Sequence, residues 1–193
     1  MTYIADIQKT KSPFKSQNSL AGMVELDIDI SHAIDDKLIV NAPGIHEGGS
    51  FKIIFTLGLT PNSFKTDIID YENESNFYEL GYSISTKDTI LIIYHYDKKN
   101  KKLLEQIKYK KSPKNSESVL QYMVNKTLFS GSYKMVDSAE QTLSLNFSND
   151  GIVTGLPNYK NYYVLTDFVA SSENDLDKVC FDIQTENQIC YVL

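Results

Sequence analysis

The sequence contains no tryptophan and no arginine, since all nineteen positive charges are lysine. Arginine is the usual fork for bidentate recognition of phosphate or carboxylate, so a site needing that geometry is not expected. Cysteine is scarce: Cys180 and Cys190 stand alone, and neither belongs to a Cys-x-x-Cys pair. The three histidines, His32, His46 and His95, are scattered without a metal-ligand spacing. Ser50 occupies the place, four residues after His46, where a zinc-protease helix would carry its second histidine. The Gly-x-Ser-x-Gly elbow, the Walker pattern and the Gly-x-Gly-x-x-Gly fingerprint are all absent. The chain is therefore expected to be no enzyme, with no catalytic residue, no metal and no cofactor. His95 and Asp97, two apart on one strand, are a pair that could act as ligands or as base and orienter, and the carboxylate pairs Asp27–Asp29 and Asp35–Asp36 read as solvated faces.

Long apolar runs are missing too, so no membrane span is expected. The opening residues, Met1 to Asp6, do not join a basic segment to an apolar one. That pattern suggests a cytoplasmic protein, or a secreted or periplasmic one had a signal peptide been removed. In a cytoplasmic chain Cys180 and Cys190 are read as a reduced, buried pair in preference to a disulfide. A length of 193 residues suffices for a core without metal or disulfide.

What is present is alternation. Met23 to Ile30 sets Val24, Leu26, Ile28 and Ile30 against Glu25, Asp27 and Asp29, the pattern of a half-buried strand with an acidic outer face. Phe51 to Leu59 alternates likewise, and Asp88 to Tyr96 is apolar on both faces, as an interior strand would be. Leu143, Leu145 and Phe147 share one face of a later strand that Asn149-Asp150-Gly151 closes, a turn in which glycine takes positive φ without steric cost. The last residues, Ile189 to Leu193, are apolar and read as a paired strand in the core. Residues 1–20 read as an edge strand and a loose arm. Only Ser116 to Lys126 has helical spacing, with Ser118 and Gln121 as a capping box and Val119, Tyr122 and Met123 as the inner stripe. The fold class is thus all-β and predominantly antiparallel, a barrel or sandwich of roughly ten strands with one short helix. It is read as a single β-rich domain, 1–193, with a subdivision allowed at the helix, 112–127, into 1–111 and 128–193.

Within that stretch, Gly131-Ser132-Tyr133 opens a meander, Asn149-Asp150-Gly151 turns it, and Tyr159 to Tyr163 follow. This arrangement resembles the opening of bacterial lipocalin-like small barrels over about forty residues. The family's usual aromatic there is Trp and its closing partner Arg, where this chain has Tyr133 and no Arg. The resemblance implies a barrel that carries a small apolar ligand.

Charge is distributed in three blocks. Residues 1–97 carry 7 Lys against 14 acidic residues, residues 98–134 carry 10 against 2, and residues 135–193 carry 2 against 9. The lysine-rich segment Lys98 to Lys114 reads as a solvated hairpin that discourages edge pairing, and no nucleic-acid partner is expected because the acidic remainder would repel a polyanion. An acidic protein rich in tyrosine suits the capture of a basic protein, as immunity-type and inhibitor proteins do. The residues assigned to that surface are Glu25, Asp27 and Asp29 together with Tyr159, Tyr162 and Tyr163. The alternative is the carrier of a small apolar ligand.

Overall fold

The structure is a computed structural model that describes residues 2–16, 23–42, 49–71, 73–86, 88–112, 119–136, 142–166, 176–182 and 185–193. Among them are thirteen strands and two α-helices, and every strand pair is antiparallel. The all-β expectation holds. The chain divides into two compact units, one of Leu20–Pro113 with the first two residues, the other of Tyr3–Ser19 with Lys114–Leu193.

The first unit is a meander. Strands β1 (Asp27–Ile28), β2 (Lys37–Ala42), β3 (Gly49–Leu57), β4 (Ser63–Thr66), β5 (Asn76–Ile84), β6 (Thr89–Asp97) and β7 (Leu103–Lys110) are hydrogen-bonded in sequence order. The sheet is curled into an open half-barrel with β1 and β7 as its edges. Alternate residues of β2, β3, β5 and β6 form its core: Leu38, Val40, Ala42, Phe51, Ile53, Tyr78, Leu80 and Ile93. Of the four residues expected inward, Leu26 and Ile28 pack on that cluster, joined by Met23 in place of Val24, but Ile30 is 79 % exposed. The reason is local: after Ile28 the chain leaves the sheet, and Asp29 caps a single 3-10 turn by accepting from the Ser31 N–H at 2.9 Å. Phe55 and Leu57, expected on the buried face of β3, are likewise exposed beyond a register shift against β4. The basic tip expected at Lys98 to Lys102 is the turn between β6 and β7, and β7 is an edge strand, where lysine discourages pairing with another chain.

In the second unit the N-terminal segment is helical rather than extended. Helix α1 (Thr2–Thr10) buries Tyr3 and Ile7, whose spacing of four places them on one helix face. Helix α2 (Val119–Leu128) falls where the sequence predicts one, but its buried residues are Val124 and Asn125, not the expected stripe. Ser118 of the expected capping box lies outside the described residues, and the Gln121 amide instead donates to Asn125 Oδ1 at 2.9 Å and to the Val164 carbonyl at 3.1 Å. Asn125 is 1 % exposed and donates to the Asn149 carbonyl at 3.2 Å, which ties α2 to the Asn-Asp-Gly turn. Gly151 in that turn has φ of +78°, and a Cβ there would stand 2.6 Å from the Tyr162 carbonyl oxygen.

Strands β8 (Gly131–Val136), β9 (Thr142–Phe147) and β10 (Val153–Thr154) form one three-stranded sheet. Strands β11 (Tyr162–Val164), β12 (Lys178–Phe181) and β13 (Ile189–Val192) form another. Phe147 joins their side chains. Its ring lies 4.9 Å from Phe129, 5.4 Å from Tyr133, 5.2 Å from Tyr162 and 6.4 Å from Phe181. Most of these contacts are edge-to-face, the favoured geometry of aromatic pairs.

Two outcomes follow. Phe147→Ala opens a cavity at this junction and should cost about 3–5 kcal/mol, read as a fall in the urea midpoint. Tyr162, donating to the Ser148 carbonyl at 2.7 Å, has its hydroxyl pKa pushed up to about 12, by burial first and by Tyr133 second. A raised folded pKa favours the protonated fold, so its contribution is complete below the unfolded value near 10 and is lost as the pH climbs towards 12. Chemical unfolding across that window should show stability declining, with a shallower decline in Tyr162→Phe.

Candidate functional site

Chemistry-bearing side chains of the second unit gather where the turn before β11 meets the hairpin of β12 and β13. Cys180 and Cys190 are directly opposed in the register of those strands, and their sulfurs are bonded, contrary to the expected reduced pair. The period of two brings both Sγ atoms to one face, and the residues after each cysteine, Phe181 and Tyr191, point to the other. Phe181 is buried, with the Tyr159 ring at 4.8 Å and the Tyr191 ring at 6.0 Å. The two tyrosine hydroxyls meet at 3.5 Å. Asp182, held at φ of +48°, accepts from the Lys160 N–H at 3.0 Å and from the Asn161 N–H at 3.4 Å, and so fastens the 157–161 turn to the hairpin.

Between these pieces lies an open concavity of about 430 Å³, lined by Asn158, Tyr159, Asn187 and Ile189. Tyr159 has its pKa raised, by the hydrogen bond to Tyr191 first and by the Asp182 carboxylate last. The concavity thus offers one aromatic ring, an aliphatic side chain and two neutral amides, with the Asp182 carboxylate nearby.

The residues assigned from sequence fare unequally. Tyr159 lines the concavity. Tyr162 is 3 % exposed and belongs to the core around Phe147, so it presents no surface; Tyr163 is half-buried. Glu25, Asp27 and Asp29 fall in the first unit: Asp27 is exposed on β1, Glu25 is half-buried, and Asp29 is engaged by Ser31 N–H and Oγ. Sequence reasoning missed Tyr191, Asn187 and Ile189, because the apolar end of the chain read as core, whereas Ile189, Tyr191 and Val192 are exposed on an edge strand.

Of the histidines, His46 lies outside the described residues together with Glu47. His95 does not pair with Asp97, whose Oδ1 accepts from the Lys99 and Asn100 N–H groups at 2.8 and 3.0 Å in the hairpin turn. Its Nε2 instead lies 2.9 Å from Asp70 Oδ2, and its ring stacks on Tyr78 at 4.3 Å. Asp70 also accepts from the Asn73 N–H and the Asn76 amide at 3.1 and 2.8 Å, so the pair holds the β4–β5 loop onto the sheet. Among the described residues no group of three His, Cys, Asp or Glu side chains could hold a metal, and no helix is long and apolar enough to cross a membrane.

Sequence reasoning also missed Glu79, 1 % exposed on β5. Its carboxylate accepts from the Leu59 N–H at 2.6 Å and from Ser63 Oγ at 2.7 Å, with the Thr60 N–H at 3.4 Å. Gly58 makes room for it, since a Cβ there would come within 2.4 Å of the carboxyl carbon. A carboxylate only accepts, the Leu59 and Thr60 N–H groups only donate, and the Ser63 hydroxyl has one proton to place between Glu79 and the Thr60 carbonyl. Glu79→Gln turns one oxygen into a donor facing donors, and should lower unfolding stability by about 1–3 kcal/mol in denaturant titration.

Comparison with known proteins finds no family model, no curated protein and no solved structure that matches the chain.

Proposed function

We propose that the chain is a non-enzymatic binding protein that captures a protein partner, in the manner of an immunity or inhibitor protein. The observation that carries the reading is the concavity at Tyr159, where one tyrosine ring and the amides of Asn158 and Asn187 line a depression between the 157–161 turn and a covalently cross-linked hairpin. Tyrosine gives contact area and a polar tip at low entropic cost, and a contact surface fixed in advance loses less on binding. Asp27, exposed on the first unit, adds to the acidic field that would steer a basic partner. The Cys180–Cys190 bond supports an oxidising compartment, the secreted or periplasmic of the two expectations.

One observation favours the second reading, a carrier of a small apolar ligand. On the first unit's curled sheet, Phe55 and Leu57 of β3 and Tyr82 and Ile84 of β5 are exposed large apolar side chains on the face that carries the core. Such a patch suits an apolar ligand.

Tagged protein retained on resin under mild salt, with intact-mass analysis of what co-elutes, separates the two. A stoichiometric protein that Tyr159→Ala and Tyr191→Ala release, while Phe55→Ser retains it, is the expected result. A small apolar molecule freed on denaturation and lost in Phe55→Ser would replace it with the carrier.

A further inference from the structure

We propose that the turn between β6 and β7 is a membrane-docking tip: Lys98, Lys99, Lys101 and Lys102 lie among anionic lipid headgroups while Leu103 and Leu104 enter the apolar layer beneath them. The inference concerns the first unit and is independent of the protein-capture reading.

Three observations at the tip carry it. The four lysines are exposed and stand in the turn itself, after Asp97, where β6 ends, and before Leu103, where β7 begins. Lysines along β7 protect an edge, but a turn has no strand edge to protect, so that role leaves these four unexplained. Strand β7 then opens with a bulge. His95 pairs with Glu105 and Tyr96 with Leu103, which makes Leu104 an extra residue. Neighbours on an unbroken strand point to opposite faces, whereas Leu103 and Leu104 are both exposed directly beside the lysines. The turn is also held in place from within. Asp97 Oδ1 accepts from the Lys99 and Asn100 N–H groups, the Asp97 N–H donates to the Lys102 carbonyl at 2.9 Å, and the Lys98 N–H donates to the Ser75 carbonyl at 3.1 Å. Docking therefore has little backbone left to order.

The acidic groups nearby oppose this weakly. Asp97 is folded into the turn, Glu105 lies on the strand face opposite Leu103, and Glu74 is exposed on the loop that carries Ser75. Charges farther than about 8 Å from the headgroups are largely screened at physiological salt.

Other anionic partners would use only part of this surface. A nucleic acid would neutralise the lysines, but single strands stack on aromatic rings and Lys98 to Leu104 contains none, so both leucines would stay in water. An acidic protein would need an interface of about 800 Å² per side with an apolar centre, in which lysine is disfavoured, and the apolar centre here is two side chains. A bilayer interface asks for no more than a few apolar side chains with cations around them, and each residue adds its own share.

The test is flotation of the full chain with vesicles of phosphatidylcholine and phosphatidylglycerol in a ratio of about 3:1, beside vesicles of phosphatidylcholine alone. Expected is binding to the mixed vesicles that salt weakens and that the neutral vesicles do not support. Lys98→Gln, Lys99→Gln, Lys101→Gln and Lys102→Gln should each weaken it about fivefold. Leu103→Ser combined with Leu104→Ser should weaken it about tenfold. Because the chain has no tryptophan, Leu104→Trp supplies a single indole, whose emission should shift to the blue on the mixed vesicles and be quenched by lipid brominated along its acyl chain. No binding by the unmodified chain, or equal binding to neutral vesicles, overturns the proposal whether or not any variant folds. Binding that survives the four lysine replacements together, or an indole that stays unshifted on the bound chain, overturns the tip as the docking element. Tighter binding to a duplex oligonucleotide or to polyglutamate than to the mixed vesicles overturns the membrane in favour of that partner.

Discussion

The second unit depends on the burial of one ring. Phe147 ends β9, and it touches aromatic side chains from the end of α2, from β8, from β11 and from β12. Four elements that share few backbone hydrogen bonds across their two sheets are thereby brought to one point. Phe181 is the member that faces both ways: it meets Phe147 within and carries Tyr159 and Tyr191 without. The concavity is therefore the outer layer of the same aromatic packing that forms the core, and its side chains inherit their positions from it.

In the first unit the corresponding constraint is polar. A seven-stranded meander in sequence order is built from local hairpins, and a turn in such a sheet must be stopped at the right residue. The β3–β4 turn is set by Glu79, whose buried carboxylate collects the Leu59 amide and the Ser63 hydroxyl from across the neighbouring strand. Asp70 does the same for the next loop, with His95 and Asn76 as its anchors. Both acids sit among apolar neighbours in the chain, and both act where the strands reverse.

Much of this was legible in the residues, and the failures have a common cause. The alternation of Leu143, Leu145 and Phe147, the Asn-Asp-Gly turn and the doubly apolar strand from Asp88 to Tyr96 follow from local pattern and turn chemistry alone, and they appear where expected. Period two marks Ile30 as core, and an apolar run marks Ile189 to Leu193 as core, yet these are exposed. Alternation says which side chains share a face and not whether another element covers that face. At Ile30 the chain has already left the sheet, and at β13 the sheet ends. Tyr159 and Tyr162, assigned together from their nearness in sequence, part company because Tyr159 stands in the 157–161 turn and Tyr162 in β11, where it enters the core. The Asp70–His95 contact spans twenty-five residues and the Cys180–Cys190 bond needs an exact register, so neither is written in local sequence.

That bond also alters how the hairpin bears force. A partner pulling on Tyr191 loads edge strand β13 as a peel, and hydrogen bonds arranged along a strand yield one after another under such a load. The covalent link at Cys190 lies next to Tyr191, so the peel meets it almost at once. Beyond that point tension passes directly into buried β12, and the strand can be drawn away only by breaking the sheet behind it.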